Sequence, residues 1–322
     1  MRIVFVSPYF TDNAKLFIDA LSRLPGVQLG LVAQEDVSRL PEHTRGRLAG
    51  FELVGDALAP KEIVAATRRL SAKLGGVDRL LGVLEQIQIP IAEAQAELGL
   101  PGLGVEVAKN FRDKNRMKEI LREAGLPVAR HRQVASAAEA RSFAAEVGYP
   151  IIVKPPAGVA SQATYRATDE ASLAEATAAV LAAAQGVALL EEMVTGTEHS
   201  FDAFVKDGEL LSYSITDYLP PCIVAMENPW IQWTALLRRD YEAPDIAEAG
   251  LRALVALGMK TGICHLEWFR RPDGSVVISE VGARPGGAQI ATMIARAHDV
   301  DYRGALARFM VHEAYDPFPP RK

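Results

Sequence analysis

Residues 261–287, TGICHLEWFRRPDGSVVISEVGARPGG, constrain this chain more than any other stretch. Residues 263–269 alternate around Leu266 and Trp268, and residues 276–281 are rich in β-branched side chains. Asp273-Gly274 between them is a strong hairpin signal, because both central residues of a type I′ turn need φ > 0. A two-residue loop there sets Arg271 opposite Val276, and so Glu267 opposite Glu280. Directly opposite residues have Cβ atoms roughly 4.5–5.5 Å apart, and like charges at that spacing weaken a sheet. A cation between the carboxylates removes the conflict. Mg²⁺ suits such a place, since it takes one or two protein carboxylates together with substrate phosphates. A three-residue loop, Pro272-Asp273-Gly274, would instead shift the register by one and send the two glutamates to opposite faces.

The hairpin runs into Gly282-Ala283-Arg284-Pro285-Gly286-Gly287. Arg284 sits just past the strand end, between residues that free or fix the backbone. A guanidinium there can fork onto a phosphate or carboxylate. It can equally be a surface arginine in a glycine-rich turn.

The 322 residues are 49% hydrophobic and 23% charged, which suits two or three ordinary globular domains. A net charge of −5 does not favour a nucleic-acid partner. Cys222 and Cys264 form no CxxC, so neither a disulfide framework nor a structural zinc site is indicated, and a reducing cytosol fits. Cys264 alternates with Leu266 and reads as core. No apolar run reaches the ~18 residues of a membrane span. The N-terminal MRIVFVSPYF is too short for a signal peptide and reads as a first strand.

Strand and helix alternate through the first hundred residues: strands at 3–6, 27–33 and 51–54, helices from Thr11 to Leu24 and near 61–73, and an apolar stretch at 80–84. That alternation predicts a parallel α/β sheet. Ser7-Pro8-Tyr9-Phe10 after the first strand is not GxGxxG, which argues against a dinucleotide site. Residues 100–104, LPGLG, mark a boundary. Residues 110–125 then read as one helix, basic in its first half, with Lys114 among Arg112, Arg116 and Lys118. Ser136 caps a helix to Val147, and residues 151–154 form an apolar strand ending in Lys154. A lysine there must reach water or an anion. The small-residue loop 155–164 after it could lay backbone N–H groups against phosphates. It is no Walker A loop, since GK[ST] is missing. An alanine-rich helix at 173–184 leads to a strand at 187–194, VALLEEMV, and to Glu198 in the turn beyond. Residues 201–205 and 210–215 give a hairpin about Asp207-Gly208. Residues 217–245 read as irregular, with Trp230, Trp233, Arg238 and Arg239. Helices are expected at 246–257 and 290–308, before a proline-rich end that reads as disordered or as a truncated continuation.

Taken in order, these features resemble the ATP-grasp carboxylate–amine ligases: an α/β domain, a basic helix with Lys114, a strand ending in Lys154-Pro155, LLEEMVTGTE, and a hairpin with paired glutamates ending in E-x-x-x-R-P-G-G. D-alanine–D-alanine ligase, biotin carboxylase and the L-amino-acid ligases are such enzymes. The resemblance covers roughly residues 105–300. It implies an α/β and α+β chain. A Rossmann-like parallel domain, 1–105, would precede a two-lobed ATP-grasp domain, 106–322, with a small lid lobe about 127–192 and a C-terminal lobe about 193–322. It implies that Lys114 and Lys154 hold ATP phosphates and that the 157–164 loop, with Gly158 and Ser161, closes over them. The adenine would lie against 187–194, read by backbone groups at Glu191 and Val194 with Glu192 beside them, and Glu198 would take the ribose. Glu267 and Glu280 would bind Mg²⁺, one ion or two, with Mn²⁺ able to replace it. Arg284 and Lys154 would act on the transferred phosphoryl group.

The implied activity is amide or peptide bond formation between a small carboxylic acid and a small amine through an acyl phosphate, releasing ADP and phosphate, in the cytoplasm. A phosphotransferase, a carboxylase using bicarbonate, or a non-catalytic nucleotide-binding protein are the alternatives, and a homodimer is left open. Two departures stand out. Gly282 replaces an asparagine that in many relatives supplies a further metal ligand, which puts a second ion in doubt. The 157–164 loop keeps only one glycine, Gly158, so its fit to phosphate is narrowed.

Overall fold

In the computed structural model, which describes residues 1–158, 163–239 and 243–322, the first hundred residues form a parallel sheet. The strands are β1 (Arg2–Ser7), β2 (Gln28–Ala33), β3 (Leu48–Leu53) and β4 (Arg79–Leu81), in the order β3-β2-β1-β4. Ile3, Val4, Phe5 and Val6 are all buried, as a strand covered on both faces requires. The covering helices are α1 (Asp12–Ser22), α2 (Glu42–Arg45), α3 (Pro60–Leu74) and α4 (Gln88–Leu98). Thr11 caps α1 by accepting from Ala14 N.

The basic segment is two helices, not one: α5 (Val105–Arg112) and α6 (Lys114–Glu123). Asp113 separates them. Its backbone is extended (φ −90°, ψ 108°), and its side chain caps α6 by accepting from Asn115 N and Arg116 N. The break brings Lys114 to the start of a helix, and its backbone N–H donates to Pro156 O at 2.9 Å.

A second sheet holds β5 (His131–Val134), β6 (Ile151–Lys154), β7 (Tyr165–Ala167) and β8 (Ala188–Glu192), in the order β5-β8-β6-β7, backed by α7 (Ala137–Val147) and α8 (Glu170–Ala183). The third sheet holds β9 (Thr197–Lys206), β10 (Glu209–Leu219), β11 (Thr234–Leu237), β12 (Gly262–Arg270) and β13 (Val276–Gly282), in the order β11-β10-β9-β12-β13. The stretch expected to be irregular therefore carries the end of β10, the short helix α9 (Cys222–Glu227) and β11. Among the described residues no helix is long and apolar enough to cross a membrane.

Alternation divides the third sheet into two faces. Phe201, Ala203, Val205, Cys264, Leu266 and Trp268 turn toward α5, α6 and α10 (Pro244–Leu257) and are buried there. Ser200, Asp202, His265, Glu267 and Glu280 occupy the other face. On that side Phe204 and Ile263 join a core shared with β1, β2 and α1. The expected 290–308 helix is likewise two, α11 (Ile290–His298) and α12 (Tyr302–His312), parted at Asp299, whose φ is +54°. The proline-rich end packs rather than straying: Phe318 lies 5.5 Å from both Tyr302 and Tyr315 between ring centres, and Lys322 N donates to Ala297 O.

The β12–β13 hairpin departs from the expected turn and still delivers the expected pair. Its loop is Pro272-Asp273-Gly274: Arg271 N donates to Ser275 O at 2.9 Å, Gly274 N to Arg271 O, and Gly274 has φ +84°. Near the turn Arg270 faces Val276 and Trp268 faces Ile278. A β-bulge then shifts the register by one residue, so that Glu267 faces Glu280. The extra residue is Ser279.

Candidate active site

A cavity of about 350 Å³ opens between the second and third sheets. It is lined by Lys114, Lys154, Gly158, Glu191, Glu192, Val194, Glu198, Glu267, Glu280 and Arg284. Of the expected site residues only Ser161 lies outside the described residues, as does part of the 157–164 loop.

Charge inside the cavity is arranged in pairs. Lys154 Nζ lies 2.9 Å from Glu191 Oε1, and Lys118 Nζ lies 3.4 Å from the same atom. Lys118 is fully buried and also donates to Ser279 O at 2.8 Å, the carbonyl that the bulge turns out of the ladder. Burial lowers the Lys118 pKa, with Glu191 opposing. Burial also disfavours the Lys154 ammonium, but Glu191 and Glu280 outweigh it and its pKa is raised. Lys114 Nζ sits 2.9 Å from Glu280 Oε1 and 3.4 Å from Gly158 O. For Glu280, burial works against the charge, yet Lys114 and Lys154 prevail and hold the carboxyl at about 2. Arg284 Nε donates to Glu85 Oε2, and its Nη1 donates to Pro285 O at 2.9 Å.

The remaining acids are less well matched. His265 Nε2 stands 3.5 Å from Glu267 Oε1, while its Nδ1 is held by Asp202 at 2.8 Å. Burial opposes the imidazolium, but Asp202 outweighs it and raises the pKa to about 9. Gly286 makes that pair possible: a Cβ on it would lie 2.4 Å from Asp202 Oδ1 and 2.8 Å from His265 Nδ1. Glu198 is buried, accepts from Cys222 N at 2.5 Å, and is pushed up to about 7 by burial and then by the charge of Glu267. The charge of Glu267 thus bears on Glu198 across the cavity.

Two carboxylates directly opposite one another, with hard oxygen donors, fit a small divalent cation. Among the described residues no set of three or more His, Cys, Asp or Glu side chains is arranged to hold an ion. A cation here would therefore take further ligands from water or phosphate. Gly282 brings no side-chain donor.

Glu192 faces away from this network, in a pair with Arg130 (Nε to Oε2, 2.6 Å). Arg238, Arg239 and Arg296, each able in principle to recognise a carboxylate, are not among the cavity's lining residues, and Arg238 pairs with Asp217. Pro221 to Val224 do line it. Sequence reading missed Lys118, His265 and Glu85. Lys118 carried a signal, falling four residues after Lys114 and so on the same helix face. His265 alternates with Glu267 and could also have been found. Glu85 lies 199 residues from Arg284 and carried none.

Residues 147–293 match the family described as ATP-grasp domain. The chain is 28% identical over 284 residues to the uncharacterized protein y4rH of Sinorhizobium fredii, a match spanning 83% of this chain and 58% of that protein. It is 26% identical over 234 residues to the L-arginine-specific L-amino acid ligase of Bacillus subtilis, spanning 71% of this chain and 56% of that enzyme. The chain thus spans a little over half the length of these two relatives. Among solved structures, the L-amino acid ligase from Bacillus licheniformis superposes with a TM-score of 0.77 at 20% identity, covering 97% of this chain and 74% of that one. At that identity the likeness shows the fold.

Proposed function

Because this chain carries an ATP-grasp domain, we propose that it is an ATP-dependent ligase joining a small carboxylic acid to a small amine. The observation that carries the reading is the convergence of the Glu267–Glu280 pair, Lys114, Lys154 and Arg284 on one cavity. The similarity to an L-amino acid ligase supports it.

In this reading Glu267 and Glu280 hold Mg²⁺, or Mn²⁺ in its place. The bound ion would draw charge from the phosphates and so ease phosphoryl transfer. Lys114 and Lys154 bind phosphate oxygens. Both ammoniums are already positioned by Glu280 and Glu191, so little ordering remains when nucleotide arrives. Arg284 faces the γ-phosphate. Backbone groups of Glu191 to Val194 line the adenine, with the Glu192 side chain turned outward, and Glu198 accepts from the ribose hydroxyls. The substrate carboxylate attacks the γ-phosphorus and ADP leaves. The amine then attacks the acyl phosphate, phosphate departs, and the amine's surplus proton passes to water. Positioning and charge stabilisation carry the phosphoryl step.

A phosphate-release screen over amino-acid pairs, single acids and bicarbonate tests the proposal. ADP release that needs both an acid and an amine, with an amide found by mass spectrometry, is the expected result. Turnover driven by bicarbonate or by one acceptor alone would identify a carboxylase or a phosphotransferase instead.

A further inference from the structure

We propose that Glu85, carried by the parallel-sheet segment, is the positioning residue for Arg284; the inference rests on the nucleotide reading above. Glu85 begins a 3-10 turn, Glu85–Ile87, soon after β4, and is 5% exposed. Both of its oxygens are engaged. Oε2 accepts from Arg284 Nε, and Oε1 accepts from Arg112 Nη1 at 2.8 Å. Arg112 Nη1 also reaches Gly158 O at 3.3 Å. One buried carboxylate therefore joins an arginine at the α5 end, an arginine past β13, and, through the first, the loop after β6.

A guanidinium presents its donors in a rigid planar fork. With Nε held by Glu85 and Nη1 by Pro285 O, the plane of Arg284 is fixed. Nη2 is then the nitrogen with no partner among the described residues. Truncating Glu85 would free the plane to rotate and would leave two half-buried cations, Arg284 and Arg112, short of an anion.

Gly282 fits the same arrangement. A Cβ there would meet Glu85 Oε2 and Arg284 Cγ, each at 3.4 Å. The rest of a larger side chain would have to share the space that the pair fills. The missing side chain at 282 leaves room for an acid supplied from another part of the chain.

Calorimetric titration of the full chain with MgADP and with Mg²⁺ plus a non-hydrolysable ATP analogue tests the assignment. Glu85→Gln is expected to weaken the triphosphate analogue at least tenfold and ADP less than about twofold, because only the γ-phosphate faces Arg284. Arg284→Lys should do the same, and the double variant should lose no more than either single one, since both act through one group. Gly282→Val, which keeps both charges and adds no metal-ligating atom, crowds the pair; it is expected to show the same selective loss and serves if Glu85→Gln does not fold. Equal loss of both nucleotides, loss of neither, or an additive double variant would mark Glu85 as a structural clamp only and overturn the inference. If the native chain binds neither nucleotide, the nucleotide reading itself fails and this inference falls with it.

Discussion

Glu267 stands directly across the ribbon from Glu280, and Ser279 is the residue that lets it do so. The three-residue loop sets the strands one step out of the register needed for the pair, and the bulge takes that step back. The displaced Ser279 carbonyl is not wasted, since Lys118 donates to it. If the pair holds Mg²⁺, Glu267→Gln should raise the Mg²⁺ concentration needed for half-maximal ADP release by at least tenfold. Excess EDTA should abolish release and added Mg²⁺ should restore it. Release indifferent to EDTA would remove the metal from the account.

Glu191 answers two buried ammoniums, those of Lys154 and Lys118. Glu191→Gln should therefore cost about 3–5 kcal/mol in urea unfolding at neutral pH. Adding Lys118→Met should recover a substantial part of that loss, because one stranded charge goes with it. Strictly additive losses would show that the two side chains do not interact.

Glu198 sets a pH dependence of known sign. Its folded pKa, about 7, lies above its ordinary value of 4.5. The stability tied to its proton is thus complete below pH 4.5 and disappears as pH rises through 7. Against the neutral isostere Glu198→Gln, the native chain should be less stable at pH 8 by on the order of 3 kcal/mol. The difference should close toward pH 5. Thermal melts at the two pH values check this, and a gap that does not change with pH would place the acid in a different environment.

Gly286→Ala should be far costlier than a surface Gly→Ala change. Its Cβ would overlap the Asp202–His265 pair, and overpacking of this kind costs about 1–3 kcal/mol. Urea unfolding of the variant beside Gly287→Ala, where a Cβ meets nothing within 4 Å, gives the comparison.

The legible parts of this chain were those with short-range chemistry. Alternation around Leu266 and Trp268 announced a strand with one buried face, and caps at Thr11 and Ser136 marked helix starts. The Glu267–Glu280 pairing was expected from a two-residue turn that the chain does not use. It occurs because a bulge offsets the longer loop, and a bulge has no strong residue signature of its own. The single helix read over 110–125 failed at Asp113, where a side chain able to cap competes with helix continuation. The partners of Arg284 and Glu191 depend on segments distant in sequence, so no local pattern could name them.

Among the described residues, two backbone bonds pin the second sheet to its surroundings: Ile278 N to Pro127 O at 2.8 Å, beside the Val128–Ile278 bridge, and Lys114 N to Pro156 O at 2.9 Å. Ion pairs add further ties: Arg166 on β7 meets Glu227 on α9, and Arg271 in the hairpin loop lies 3.8 Å from Glu192 on β8. The second sheet is thus fastened at its rim by charge as well as at its floor by backbone, and any widening of the cleft must first part the Arg166–Glu227 pair.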